Sequence, residues 1–130
     1  MVRPPSRYPT ELELEILKVL WEDGPSPVRH VRERLEPFRK RADNSVMTIM
    51  GIIEEKGYLR RRQESSGYIY SAKVRRANTL GSMLSDLVDR AFSGSRLDAI
   101  LQLLDTSDLN AEDIARLRSE VNRKLKEQDS

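Results

Sequence analysis

Residues 44–62 read NSVMTIMGIIEEKGYLRRR, an apolar pattern that passes through a glycine into a basic segment. Its apolar residues recur at steps of three and four, which is the spacing of the buried face of an α-helix. That face comprises Val46, Ile49, Met50 and Ile53. Gly57 supplies the left-handed conformation with which helices often end. The stretch therefore predicts a helix from residue 43 or 44 to residue 56, followed by a strand over residues 59–63.

The other side of this predicted helix is small and mostly polar, as required of a helix that enters the major groove of DNA. Its hydroxyl and amide groups could exchange hydrogen bonds with base edges, its methionine could touch a thymine methyl group, and its glycine permits close approach. The predicted base-reading residues are Asn44, Ser45, Met47, Thr48 and Gly51. The alternative interpretation is an ordinary solvated helix face.

Two groups of cations flank the predicted helix. Arg39, Lys40 and Arg41 precede it, and Arg60, Arg61 and Arg62 follow it. Cations at both ends of a groove-binding helix can neutralise DNA phosphates, so we predict backbone contacts for all six. For the second triplet, the alternative is a strand with two exposed cations and one that helps to cover the core.

The flanking sequence predicts two earlier helices and a hairpin. Thr10 and Glu13 have the spacing of a capping box, which predicts a helix to about residue 22. Ser26, followed by Pro27 at the first helical position, predicts the cap of a short second helix. A turn over residues 64–67 and a strand from residue 68 complete a hairpin. Three helices followed by a hairpin is the order of a winged helix-turn-helix domain, predicted here over residues 8–76.

Residues 77–127 contain only helical patterns, interrupted at residues 93–95 and restarted at Asn110. These helices are too few and too short to bury their own apolar stripes, so we predict a helical dimerisation domain. Its contact residues are Leu80, Leu84, Leu87, Leu97, Ile100, Leu101, Leu104, Ile114, Leu117 and Val121. The predicted fold class is mainly α with a small β-hairpin, a winged-helix domain followed by this dimerisation domain.

Charge and composition narrow the function classes. Residues 1–76 carry 16 Lys and Arg against 11 Asp and Glu, whereas residues 77–130 carry 7 against 10, which favours a polyanion partner for the first part. The absence of cysteine excludes disulfides, thiolate catalysis and cysteine metal sites. No catalytic constellation, cofactor motif, export signal or membrane segment is recognisable, so we expect a cytoplasmic protein that is not an enzyme.

Several fragments together resemble the penicillinase-repressor family, the BlaI/MecI type of winged-helix transcriptional regulators. They are Thr10–Ile16, Trp21, Val46–Met50, Glu54–Arg61 and Tyr68–Tyr70, within a match over about residues 8–125. The resemblance implies a homodimeric repressor on a dyad-symmetric operator in double-stranded DNA. It also implies relief by proteolysis, through a membrane-bound sensor pathway, near Gln102 and Leu103.

A second function class stays open at this point. The apolar stripes of residues 77–127 would also suit a protein–protein interaction module that does not itself bind DNA.

Overall fold

A computed structural model of the chain describes residues 8–36 and 43–129. Within these ranges the fold is mainly helical with one small hairpin, as predicted. The elements, in chain order, are α1 (Glu11–Asp23), α2 (Val28–Leu35), α3 (Asp43–Glu55), β1 (Leu59–Glu64), β2 (Gly67–Ala72), α4 (Arg76–Ala91), α5 (Arg96–Thr106) and α6 (Ala111–Gln128).

The predicted capping box of α1 is confirmed. The Thr10 hydroxyl accepts a hydrogen bond from the Glu13 amide at 3.3 Å, and the Glu13 carboxylate accepts one from the Thr10 amide at 2.8 Å. Gly24 ends the helix at a φ of 81°, where a residue without a Cβ avoids strain.

The predicted cap of α2 is wrong. Pro27 stands at the N-cap position without a side-chain cap, and the helix begins at Val28. Ser26 lies outside the helix, where its hydroxyl donates to the Gly24 carbonyl at 2.9 Å. Its backbone pairs with Tyr70 through two hydrogen bonds of 2.8 and 2.9 Å. Ser26 therefore extends the hairpin sheet by one antiparallel bridge instead of capping the helix.

The hairpin follows α3 directly and packs back on the helices. Gly57 has a φ of 88°, and the chain turns there into β1, as the sequence predicts. β1 and β2 are antiparallel, with Leu59 opposite Ala72 and Arg61 opposite Tyr70. This register sends one face of the hairpin toward the helices and the other toward solvent.

The core of the first part lies between three helices and the hairpin. Its buried members come from α1, α2, α3 and both strands: Ile16, Leu17, Val19, Leu20, Val31, Leu35, Val46, Met50, Ile53, Leu59 and Tyr70. Trp21 packs against this cluster, as expected of a core residue, and its Nε1 donates to the Val74 carbonyl at 3.0 Å. The core thus fixes α3 on one face only and leaves its other face accessible.

The described chain forms two compact units, one ending at Leu84 and the other beginning at Ser85. The predicted domain boundary between residues 76 and 77 falls at the start of α4, and the units divide within that helix. Ser95 and Asn110 cap α5 and α6 by accepting hydrogen bonds from Asp98 and Asp113. Neither α5 nor α6, both described throughout, contains a buried residue.

Candidate nucleic-acid interface

The two faces of α3 separate as the apolar periodicity predicts. Val46, Met50 and Ile53 are fully buried, and Ile49 is half-buried against the same core. On the opposite side Ser45 and Thr48 are exposed, and Met47 is 52% exposed. Asn44 lies within the α3 backbone range, and its side chain is outside what the structure describes. The candidate face is therefore polar, accessible and held in place by its own buried side.

Gly51 and Ile52 extend this accessible face toward the end of α3. An added Cβ at Gly51 would meet no atom within 4 Å, so open space lies above the helix there. Ile52 is 44% exposed, although it is a large apolar residue and other apolar residues of α3 are buried in the core. Ile52 is not among the base-reading residues predicted from the sequence. Its position off the buried periodicity of residues 46, 49, 50 and 53 nevertheless indicates an outward-facing side chain.

The basic triplet of β1 is divided between the two faces of the hairpin. Arg60 and Arg62 share the outer face, with Ser71 and Ile69 as cross-strand partners. Arg62 pairs with Glu64 at 2.8 Å, and Arg60 has no ion pair with any residue in the described ranges. Both side chains are exposed and therefore accessible to a ligand.

Arg61 lies on the opposite face of the hairpin, above the aromatic residues of β2. Its guanidinium stands 4.5 Å from the ring centre of Tyr68, and its Nε lies 3.4 Å from Glu54 Oε2 on α3. A hydrogen bond with Tyr70 and the charge of Glu54 raise the pKa of Arg61. The Arg61 side chain is nevertheless 47% exposed, so all three cations of the triplet are accessible to solvent. Arg61 also links the hairpin to the end of α3.

A buried ion pair ties the start of α1 to the end of α3. Lys56 Nζ lies 2.8 Å from Glu13 Oε1 and 3.0 Å from Oε2. Burial alone would raise the pKa of Glu13, but the hydrogen bonds from Lys56 and Thr10 hold it below its ordinary value. The sequence predicts only the capping role of Glu13, because Lys56 is 43 residues away along the chain.

An exposed cluster holds the end of α1 against α2. Asp23 Oδ2 accepts hydrogen bonds from Arg34 at 2.8 Å and lies 2.7 Å from His30 Nε2. The bonds from Arg34 and His30 lower the pKa of Asp23. His30, the single histidine of the chain, thus takes part in a surface contact between two helices.

The remaining predicted site residues are distributed as follows. Arg39, Lys40 and Arg41 lie outside the described residues. Gln102 and Leu103 lie in the middle of α5, and the Gln102 carbonyl accepts a hydrogen bond from the Thr106 hydroxyl at 2.8 Å. The predicted dimer residues are solvent-exposed to 41% or more, with the exception of the half-buried Leu80: Leu84, Leu87, Leu97, Ile100, Leu101, Leu104, Ile114, Leu117 and Val121.

The described residues contain no group of three or more acidic or histidine side chains that could hold a metal ion. Over the same ranges, each helix is either too short or too polar to cross a lipid bilayer. The accessible α3 face and the cations beside it are therefore the features of the first unit that most resemble a binding surface.

Comparisons with known proteins place this surface in a family context. A family model described as penicillinase repressor matches residues 9–123. The chain is 24% identical over 109 residues to an uncharacterized 16.5 kDa protein in the ptsI 3' region of Latilactobacillus sakei, covering 84% of this chain and 75% of that protein. It is 17% identical over 112 residues to the methicillin resistance regulatory protein MecI of Staphylococcus epidermidis, covering 86% and 91% respectively. The matched region includes α3 and the hairpin.

Proposed function

This chain belongs to the penicillinase repressor family, a family of transcriptional repressors, and from that premise we propose that it represses transcription as a DNA-bound homodimer. In this proposal α3 lies in the major groove of a dyad-symmetric operator in promoter DNA. The hairpin contacts the DNA phosphates beside that groove. Two copies of the chain bind each other through the helices after residue 76. The protein acts in the cytoplasm, without a cofactor and without catalysis.

The single observation that carries the proposal is the division of α3 into a buried and an accessible face. Val46, Met50 and Ile53 anchor the helix, while Ser45 and Thr48 are exposed on its other side. Because its buried face already orders α3, contact with base edges requires no further loss of conformational entropy from the helix backbone. Asn44, Met47 and Gly51 complete the proposed base-reading face.

The cations of the hairpin receive different roles. Arg60 and Arg62, on the outer face, are the proposed phosphate contacts, together with Arg39, Lys40 and Arg41 before α3. Arg61 is proposed as a positioning residue, because Glu54 and Tyr68 already engage its side chain. Its contribution to DNA binding would then be to hold the hairpin against α3.

Dimerisation is supported by the apolar side chains that the single chain leaves in water. Leu97 is 64% exposed, and the other large apolar residues of α5 and α6 lie between 41% and 58%. Full burial of such a side chain is worth about 1.5–3 kcal/mol, so covering the exposed part of each one against a second copy would stabilise both chains.

The central test is an electrophoretic shift with promoter DNA from the protein's own locus. We expect a discrete complex whose affinity falls steeply as salt rises, since each phosphate contact releases counterions. Thr48→Ala should change the preferred base at one position per half-site, by about 1–3 kcal/mol of discrimination. Arg60→Gln should weaken all sequences alike and reduce the salt slope by about one. Lys124→Gln, on α6, is the control cation and should change neither. No complex at low salt would contradict the proposal.

Relief of repression is proposed to follow cleavage between Gln102 and Leu103. Both residues are helical, and proteases cleave segments that have opened locally, so α5 would have to unwind first. Immunoblots of cells treated with a penicillin should then show a fragment that ends near Gln102. Derepression with the chain intact would point instead to a small effector.

A protein–protein interaction module is the second candidate, favoured by the same exposed residues of α5 and α6. It requires a stable heteromeric partner that survives nuclease treatment. Co-purification before and after nuclease separates the two functions, because associations mediated by DNA are lost on digestion.

A further inference from the structure

A cleft of about 520 Å³ opens within the first unit, at the junction between β2 and α4. Its walls come from the segment before α1, from Tyr58 after α3, from residues 73–75 and from the first two turns of α4. This volume falls within the range of small-molecule sites. The DNA-binding face proposed above uses none of the residues that line it.

The lining of the cleft is basic and polar. Lys73 and Arg75 contribute two cations, neither of which forms an ion pair with any residue that the structure describes. Asn78 and Ser82 contribute an amide and a hydroxyl, and none of the described lining residues is acidic. The described lining therefore carries a net positive charge, which favours an anionic ligand.

Thr79 is the most informative residue of the lining. It is only 8% exposed, and its hydroxyl forms no hydrogen bond with any described residue. The hydroxyl oxygen keeps access to the cleft, so it can donate a hydrogen bond to a ligand there.

The backbone of α4 provides further donors at the same place. The Thr79 amide donates to the Arg75 carbonyl at 3.0 Å, which is the first bond of the helix. The amides of the three preceding residues thus lack helical acceptors, and the helix dipole is positive at this end. The wall is also held firmly, because the carbonyls of Tyr58 and Val74 accept bonds from the Lys73 amide and Trp21 Nε1.

We propose that this cleft binds the phosphate group of a small phosphorylated molecule through Lys73, Arg75, the Thr79 hydroxyl and the first amides of α4. Oxygen atoms of a phosphate accept several hydrogen bonds at once, which matches two cations, a hydroxyl and a helix start better than a carboxylate does. None of the proposed base-reading or phosphate-contacting residues lines this cleft, which favours a small molecule over the backbone of a duplex. The inference does not rest on the proposed DNA binding.

The test is a titration of the ¹⁵N-labelled full chain with inorganic pyrophosphate, followed by amide shifts. We expect saturable shifts of residues 76–79, absent in sodium chloride of equal ionic strength. Arg75→Gln should weaken binding about tenfold, through loss of a charge-assisted bond. Thr79→Val should also weaken it, while Lys124→Gln should leave it unchanged. Lys73→Gln is a second exposed variant that tests the cleft if Thr79→Val disturbs the fold.

Two outcomes would overturn the proposal. One is that sodium chloride produces the same amide shifts as pyrophosphate, or that Arg75→Gln leaves the affinity for pyrophosphate unchanged. The other is no pyrophosphate binding, combined with weaker binding of a short DNA duplex in Arg75→Gln to the same extent as in Arg60→Gln. That second result would assign the cleft to the DNA backbone instead. Because pyrophosphate binding is measured without DNA, failure of the cleft and failure of the repressor proposal are distinguishable.

Discussion

At the scale of single residues, the buried pair of Glu13 and Lys56 combines two functions. Glu13 is 4% exposed and serves both the cap of α1 and the ion pair with the residue that follows α3. Its carboxylate oxygens accept bonds from Lys56 and from the Thr10 amide. The Glu13 side chain thus caps the start of α1 and holds it next to the end of α3.

Replacing Glu13 by Gln should destabilise the domain. The amide leaves the Lys56 ammonium without its counter-charge in a site that is only 15% exposed, and losing one partner of a buried pair is unfavourable by about 3 kcal/mol. Chemical denaturation measures the change. Glu112→Gln, in the first turn of α6, is the control for the helix dipole and should stay within about 0.5 kcal/mol of the parent. Equal effects of both substitutions would contradict a special role for Glu13.

The pH dependence of stability should carry the signature of Glu13. Its pKa in the folded chain is below the ordinary value of 4.5, so the unfolded chain takes up the proton first as pH falls. The stabilisation is complete above that ordinary value and is lost as pH falls through the folded value. Denaturation midpoints at stepped acidic pH should show this loss, and the Glu13→Gln variant should lose less over the same range. Identical slopes would argue against the assignment.

At the scale of secondary-structure elements, the two glycines of α3 and its end have opposite roles. Gly57 ends the element with a φ of 88°, where an L side chain is strained. Gly51 lies inside α3, with open space above it. The first glycine serves the fold, whereas the second weakens the helix and leaves its accessible face flat.

Alanine at these two glycines should shift stability in opposite directions. Gly57→Ala should destabilise the chain by about 1–2 kcal/mol through the left-handed backbone. Gly51→Ala should stabilise it by up to about 1 kcal/mol, since alanine is the better helix former. If α3 enters the major groove, Gly51→Ala should nevertheless weaken operator binding. Thermal melts and electrophoretic shifts measure the two effects, and unchanged DNA binding would remove Gly51 from the proposed interface.

At the scale of the whole molecule, the apolar residues of α5 and α6 determine the expected assembly. Sedimentation at micromolar concentration should give twice the chain mass of 15.0 kDa. Leu117→Asp should shift the mass toward one chain, because a carboxylate would be desolvated in the dimer contact. Ser119→Asp, an equal charge change on another side of α6, is the control. A single 15.0 kDa species for the unmodified chain would contradict the homodimer.

Local sequence patterns are sufficient to predict the helices, the hairpin and the two faces of α3. These features depend on contacts between residues a few positions apart: the apolar steps of Val46 to Ile53, the cap of Thr10 and Glu13, and the turn at Gly57. Such local conformational preferences can be predicted from the amino-acid sequence alone. The accessible polar face of α3 was predictable for the same reason.

Contacts between residues far apart in the chain depend on tertiary packing. Ser26 pairs with Tyr70 instead of capping α2, and Lys56 reaches Glu13. Arg61 contacts Glu54 and Tyr68 on the opposite face of the hairpin from Arg60 and Arg62. A serine before a proline has the same local signature in a cap and in a bridge, and three successive arginines look alike until strand register assigns their faces. Packing between elements far apart in sequence resolves these choices, and no local pattern encodes it.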